Sequence, residues 1–303
     1  MKNSSILTNY IYITLSGILF GMLIFGGGMM GKYGFSLLEV IIIPALMVVV
    51  MLFWFVRKEI KSFYSVPLWV SIFYFAFNVI GHFSQYAPLF LGVSVSLTLF
   101  LLYSQPLWTI IISTAFLKEK FTKQDAVVTA AIVLGLVFLL SPWEKMTYSV
   151  LGIIFGLIAG IEMSVWILFS SNYSKKDISP LTTTFFVNLY ASLPFILAYP
   201  LIVMLFPNPE ISALSFNKPP LVMFYVFIFA VVICIGARLL FCKAAQKVNN
   251  IHLGLILLLE PVVGTSLDVI FLGTPFTWNI AFGGLLILLA NAGLIIKNSR
   301  GAE

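Results

Sequence analysis

Apolar residues run along this chain in ten stretches, at 8–28, 36–56, 66–87, 93–117, 124–141, 148–170, 180–206, 219–242, 250–272 and 277–296. Each is about 18–25 residues long and almost free of charge, the length a helix needs to cross a bilayer core. The short alternating strands of a membrane barrel are absent from the pattern. The expectation is an all-α integral membrane protein with ten transmembrane helices.

Polar residues inside the runs are few and ordered. In the third run Ser71, Asn78, His82 and Gln85 fall within a narrow arc at about 100° per residue. Lipid cannot satisfy such groups, so they serve either as interhelical hydrogen-bond glue or as the wall of a polar cavity. The fourth run repeats the pattern with Ser94, Thr98, Gln105 and Thr109, and it carries Pro106 at its middle. That proline removes a donor and frees the carbonyl of Leu102, which predicts a kink. In the sixth run Phe155, Ala159, Glu162 and Trp166 share a stripe, and Glu162 lies near the middle of the membrane. A carboxylate there is costly, so it is a functional candidate, with a protonated structural contact as the alternative. The ninth run contains His252, Glu260 and Asp268, spread over nearly half the circumference, so only Glu260 is expected to face inward.

The chain says most of this twice. Shifted by 155 positions, Gly81, Val93, Pro106, Phe116, Leu117, Phe121, Thr122, Ala126 and Leu139 meet Gly236, Val248, Pro261, Phe271, Leu272, Phe276, Thr277, Ala281 and Leu294 without a gap. The fronts of the halves are paired through Gly17-Ile18-Leu19-Phe20-Gly21 and Gly152-Ile153-Ile154-Phe155-Gly156. Residues 1–143 are therefore read as one five-helix repeat and 144–303 as the second. Five spans is an odd number, so the two units must lie upside down relative to each other. Pro106 and Pro261 are expected to act as matched hinges. In the first run Gly26-Gly27-Gly28 is either a frayed helix end or a further hinge.

Composition adds the partner. Of 303 residues, 61% are apolar and 9% charged, which excludes a soluble globular protein and a disordered one. The net charge of +6 could suggest nucleic acid, but its distribution points elsewhere. Counted on alternate sides of the ten spans, Lys and Arg divide fourteen to three, the minority being Lys32, Lys145 and Lys218. That bias places both termini in the cytoplasm of a cell with the protein in its inner (plasma) membrane. Arg238 is expected to snorkel to the cytoplasmic headgroups, and Glu39 to reach the outer interface. Cys234 and Cys242 lie two helical turns apart, too far for a disulfide.

These marks resemble the drug/metabolite transporter superfamily, in its ten-helix EamA-type branch. The resemblance rests on Gln105-Pro106-Leu107 followed by Phe116-Leu117-Lys118-Glu119-Lys120-Phe121-Thr122. Its second copy is Leu259-Glu260-Pro261-Val262-Val263 followed by Phe271-Leu272-Gly273-Thr274-Pro275-Phe276-Thr277, and the stretch Gly156 to Trp166 supports both. One departure is Thr274, where the family usually has Glu; Glu119 keeps the first copy. The resemblance implies a central cavity formed by spans 1, 3, 4, 6, 8 and 9, with spans 5 and 10 behind. Spans 3–4 and 8–9 would then close opposite ends. Substrates across the family include amino acids, quaternary amines, nucleoside-type metabolites and drugs.

The expected function is therefore a secondary transporter moving a small amine-bearing metabolite by alternating access, with a proton as candidate coupling ion. The alternative is an exporter of drugs or nucleoside-type metabolites. An intramembrane enzyme or a channel is the competing class, but His-Glu-x-x-His, Gly-x-Ser-x-Gly and carboxylate clusters at ligand spacing are missing from the sequence. No cofactor, metal or nucleic acid is expected, and the protein is read as a monomer or homodimer in the bilayer. Candidate substrate-binding residues are Asn78, His82, Gln85, Gln105, Glu162, Trp166 and Glu260. His82 titrates nearest to neutral pH among those on its stripe.

Overall fold

The computed structural model describes residues 2–63, 68–91, 93, 95–141, 143, 149–175, 178–215, 217–271, 273 and 275–300. Ser94, Lys145, Leu272 and Thr274, and the side chain of Ser71, lie outside the described residues. The described chain is helical, with no strand. Its long helices are α1 (Lys2–Lys32), α2 (Leu37–Val56), α3 (Leu68–Phe90), α4 in two segments (Val95–Leu102 and Gln105–Phe116) and α5 (Lys123–Leu140). They continue as α6 (Val150–Lys175), α7 (Pro180–Leu197), α8 (Pro220–Ala245), α9 in two segments (Asn250–Ile256 and Leu259–Phe271) and α10 (Trp278–Arg300). Among the described residues, 9 helices are long and apolar enough to cross a membrane. The tenth, α3, spans 23 residues and is the one that carries the polar stripe. Lipid-facing positions such as Val50, Val127, Leu197 and Met204 are exposed, as a membrane exterior requires.

Sequence chemistry fixes the helix starts. Ser36 and Glu39 form a reciprocal capping box at α2, and Thr122 and Asp125 form another at α5. Glu39, expected at the outer interface, is buried within the protein, accepting from the Ser36 and Ser215 backbones and pairing with Lys218.

The packing is paired about a pseudo-two-fold axis. Helix α1 packs on α8 and α9 of the other repeat, while α6 packs on α3 and α4; α2 pairs with α7 and α5 with α10. The glycines reveal the register. A Cβ on Gly17 would meet the carbonyl of Ile256 and the Leu259 side chain; one on Gly160 would meet the carbonyl of Leu101 and the Ser104 hydroxyl. Ile256 and Leu259 are the 155-offset counterparts of Leu101 and Ser104. Likewise Gly21 abuts the Glu260 carbonyl, where Ser164 donates to the Gln105 carbonyl at 2.6 Å. Gly17 thus corresponds to Gly160 and Gly21 to Ser164. This corrects the sequence pairing of Gly17 and Gly21 with Gly152 and Gly156 by two helical turns. Small-residue stripes repeat every turn, so the motif alone fits more than one register.

Both α4 and α9 break rather than bend gently. The gaps fall at Tyr103–Ser104 and Leu257–Leu258, with Pro106 and Pro261 in the first turn of each second segment. Proline is tolerated there because the first-turn N–H groups have no intrahelical partner. Glycine permits the break to be covered, since Gly160 brings the α6 backbone against the Leu101 and Leu102 carbonyls. The exits match too: Lys118 and its counterpart Gly273 both hold positive φ, 55° and 73°. Glycine adopts that conformation freely, whereas Lys118 carries a Cβ into it.

Candidate functional site

Between the repeats, beside both helix breaks, lies a cavity of about 240 Å³. Asn78, His82 and Gln85 enter it from α3, Glu162, Met163 and Trp166 from α6, Arg238 from α8 and Glu260 from α9. Phe20 and Leu23 of α1, Leu102 and Tyr103 at the α4 break, and Val187 of α7 complete the wall. Six of the seven sequence-nominated residues therefore come together. Gln105 does not: its amide donates to Thr109 Oγ1 at 2.8 Å, and it packs against Gly254 within the helix bundle. The fourth-run stripe assumes one continuous helical face, and the break at Tyr103–Ser104 ends that continuity.

Glu162 is the deepest acid of the wall and is 4% exposed. Its Oε2 accepts one hydrogen bond, from Gln85 Nε2 at 3.1 Å. The close approach of α3 that makes this contact depends on Gly81, where any Cβ would overlap the Glu162 side chain. His82 Nδ1 donates to the Asn78 carbonyl at 2.8 Å, so its Nε2 is the nitrogen left for the cavity. The Glu260 carboxyl lies beside the Tyr103 hydroxyl across the α4 break.

From its place near the end of its span, the sequence expects Arg238 among the headgroups. Its guanidinium instead sits 5.3 Å from the Trp166 ring centroid, over the ring. Trp166 also makes an edge contact with Phe20 and lies 4.8 Å from Phe241 between ring centroids. Phe229–Ile235 of α8 is π-helical. Each extra residue in such a turn rotates the rest of the helix by about 100°, so the turn helps set which way Arg238 faces.

A second polar cluster lies where the chain termini emerge. Sequence spacing sets His252 off the inward face of its span. Its Nε2 faces Asp125 Oδ1 at 3.2 Å and its Nδ1 meets the Tyr10 hydroxyl at 2.6 Å, which joins α9, α5 and α1. Asp125 Oδ2 accepts from the Thr122 backbone and hydroxyl, each at 2.8 Å. Beside it Glu119 caps the start of α9, accepting from Asn250 Nδ2 at 2.7 Å and from the Asn250 and Ile251 backbones. The retained Glu of the Phe-Leu-x-Glu motif is thus a cap on the opposite repeat. No group of three or more His, Cys, Asp or Glu with metal-binding spacing occurs among the described residues.

A sequence profile of known proteins matches residues 7–141 and again residues 150–296; it is that of the EamA-like transporter family. The chain belongs to this family. An EamA-like transporter is a multi-pass membrane protein, and the double match coincides with the paired packing of the two halves. A solved structure described only as a crystal structure of protein superposes with a TM-score of 0.74. It is 15% identical over 95% of this chain and 98% of that one, which speaks for the fold alone. Comparison with curated proteins finds no match. As the family implies, α5 and α10 of this EamA-like transporter pack on each other, and neither lines the cavity.

Proposed function

We propose that this chain is a secondary transporter that binds a small amine-bearing metabolite in the cavity between its repeats and moves it by alternating access. The observation that carries the reading is Glu162, a carboxylate buried mid-helix with one hydrogen bond and its remaining capacity turned to the cavity. Such a group calls for a cation, a proton or water. A substrate amine fits the first need, and a proton the second, so the same residue serves binding and coupling. The positive-inside bias supports cytoplasmic termini in a cell's inner membrane, with 1–143 and 144–303 as the inverted halves. The helix breaks at Pro106 and Pro261 support closure at alternate ends.

The test is Glu162→Gln in proteoliposomes. Concentrative uptake is expected to be lost. Surviving equilibrium exchange assigns the carboxylate to proton coupling, and lost exchange assigns it to substrate contact. Normal transport by Glu162→Gln at every pH overturns the reading and leaves Glu162 as interhelical glue.

A further inference from the structure

We infer that the ligand of this cavity carries a carboxylate as well as an amine, and that Arg238 is the residue that receives it. The inference deepens the proposed function and rests on it. Three observations carry it.

The first is that Arg238 is short of partners. Among the described residues no carboxylate lies within 4.0 Å of its guanidinium, and it donates no hydrogen bond to them. Its Nε is buried without a partner. Arg238 is half-buried, and a guanidinium drawn partly out of water loses hydration that a partner has to replace. Its five N–H groups form a planar fork that matches two carboxylate oxygens. The Trp166 ring satisfies a guanidinium face and none of those donors.

The second is that Trp166 is taken. An aromatic face open to the cavity would favour a quaternary or simple amine held by cation–π contact. Here Arg238 lies over the ring, and Phe20 and Phe241 pack against it. A substrate cation therefore has the acids to turn to and no free Trp166 face.

The third is the charge arrangement. Glu162 and Glu260 enter from α6 and α9, and Arg238 enters from α8, into one space of about 240 Å³. A monovalent amine would answer an acid and leave the guanidinium's donors unmet. A zwitterion answers both, with its ammonium at the acids and its carboxylate at the fork. The remaining wall, Leu23, Leu102, Met163 and Val187 among it, is apolar and suits a compact side chain.

The experiment compares matched ligands on the purified full-length protein. The probes are the proteinogenic amino acids and the amines formed from them by decarboxylation, leucine with isoamylamine for example, scored by thermal shift and then by calorimetry. At least one amino acid is expected to bind tenfold or more tighter than its amine. In Arg238→Met that preference is expected to collapse through loss of amino-acid affinity, with amine affinity unchanged or raised. Arg238→Lys keeps the charge without the fork and is expected to fall between. Both variants are first checked for monodispersity, and a misfolded Arg238→Met leaves Arg238→Lys as the deciding comparison. Amines that bind as well as their amino acids, or a preference that survives in a folded Arg238 variant, overturn the role of Arg238 while the amine transporter stands. A panel in which neither member of any pair binds overturns both.

Discussion

Removing the ammonium of Lys218 is expected to loosen the end of the protein opposite its termini. The Lys218 Nζ lies 3.1 Å from Glu39 Oε2 and donates to the Gly34 carbonyl at 2.6 Å. The Glu39 side chain is 1% exposed and that of Lys218 16%. Deleting one partner of a fully buried pair typically costs about 3–5 kcal/mol, because the other charge is left stranded. Two things lower that figure here. Glu39 keeps the Ser36 and Ser215 N–H groups, at 2.8 and 2.7 Å, and Lys218 is partly open to solvent. Lys218→Met, which keeps an apolar stem but also loses the ammonium's place 4.8 Å over the Phe35 ring, is therefore expected to cost about 2 kcal/mol. In a heated, detergent-solubilised sample followed by gel filtration, that corresponds to a loss on the order of 4 °C. A cycle with Glu39→Gln should return a coupling of about 1–2 kcal/mol between the two positions. Raising the salt should not erase the difference, since a buried pair is screened far less than an exposed one. A variant that melts with the parent, or a coupling of zero, would show that the backbone donors alone hold Glu39.

The helix breaks are tested by Pro106→Ala with Pro261→Ala: turnover is expected to slow a few-fold with binding kept, and unchanged turnover in the double variant would remove the hinge role. Topology is tested in a background lacking Cys234 and Cys242, using exposed Asn217 and Lys247. Asn217→Cys should react with an impermeant maleimide in intact cells and Lys247→Cys should not, and the reverse would place the termini outside.

The ten spans are legible from the length of the apolar runs, the two-fold repetition from the 155-residue offset, and most of the cavity wall from periodicity within unbroken stretches of helix. The α3 stripe is the clear case: Asn78, His82 and Gln85 sit on a regular helix and arrive together. Where the helix is irregular, the same arithmetic fails. The break before Gln105 re-aims the side chains beyond it, so periodicity over-assigns that residue, while Arg238, beyond a π-helical turn, is missed because its place near the end of its span reads as a headgroup contact. Glu39 and His252 are hidden for a different reason. Their partners, Lys218 and the pair Asp125 and Tyr10, lie more than a hundred residues away, and local pattern carries no information about them.

The corrected register also explains how two copies of one fold make an asymmetric site. Gly17 and Gly160 hold equivalent contacts on the α9 and α4 breaks, so the devices that let helices approach and yield are shared by both halves. Carried into the cavity, the same offsets set Glu162 against Leu19, Trp166 against Leu23, Arg238 against Phe83 and His82 against Ala237. Each of these four is answered by an apolar residue; Glu260 is the exception, answered by Gln105, which lies outside the cavity. A pair of identical walls would present the same group twice and could not tell one end of a ligand from the other. With the acid of α6 and the guanidinium of α8 contributed once each, the cavity has a direction, while the breaks are matched in both halves. On the proposed reading the unlike residues set the substrate and the like ones serve alternating access, so either could change without disturbing the other.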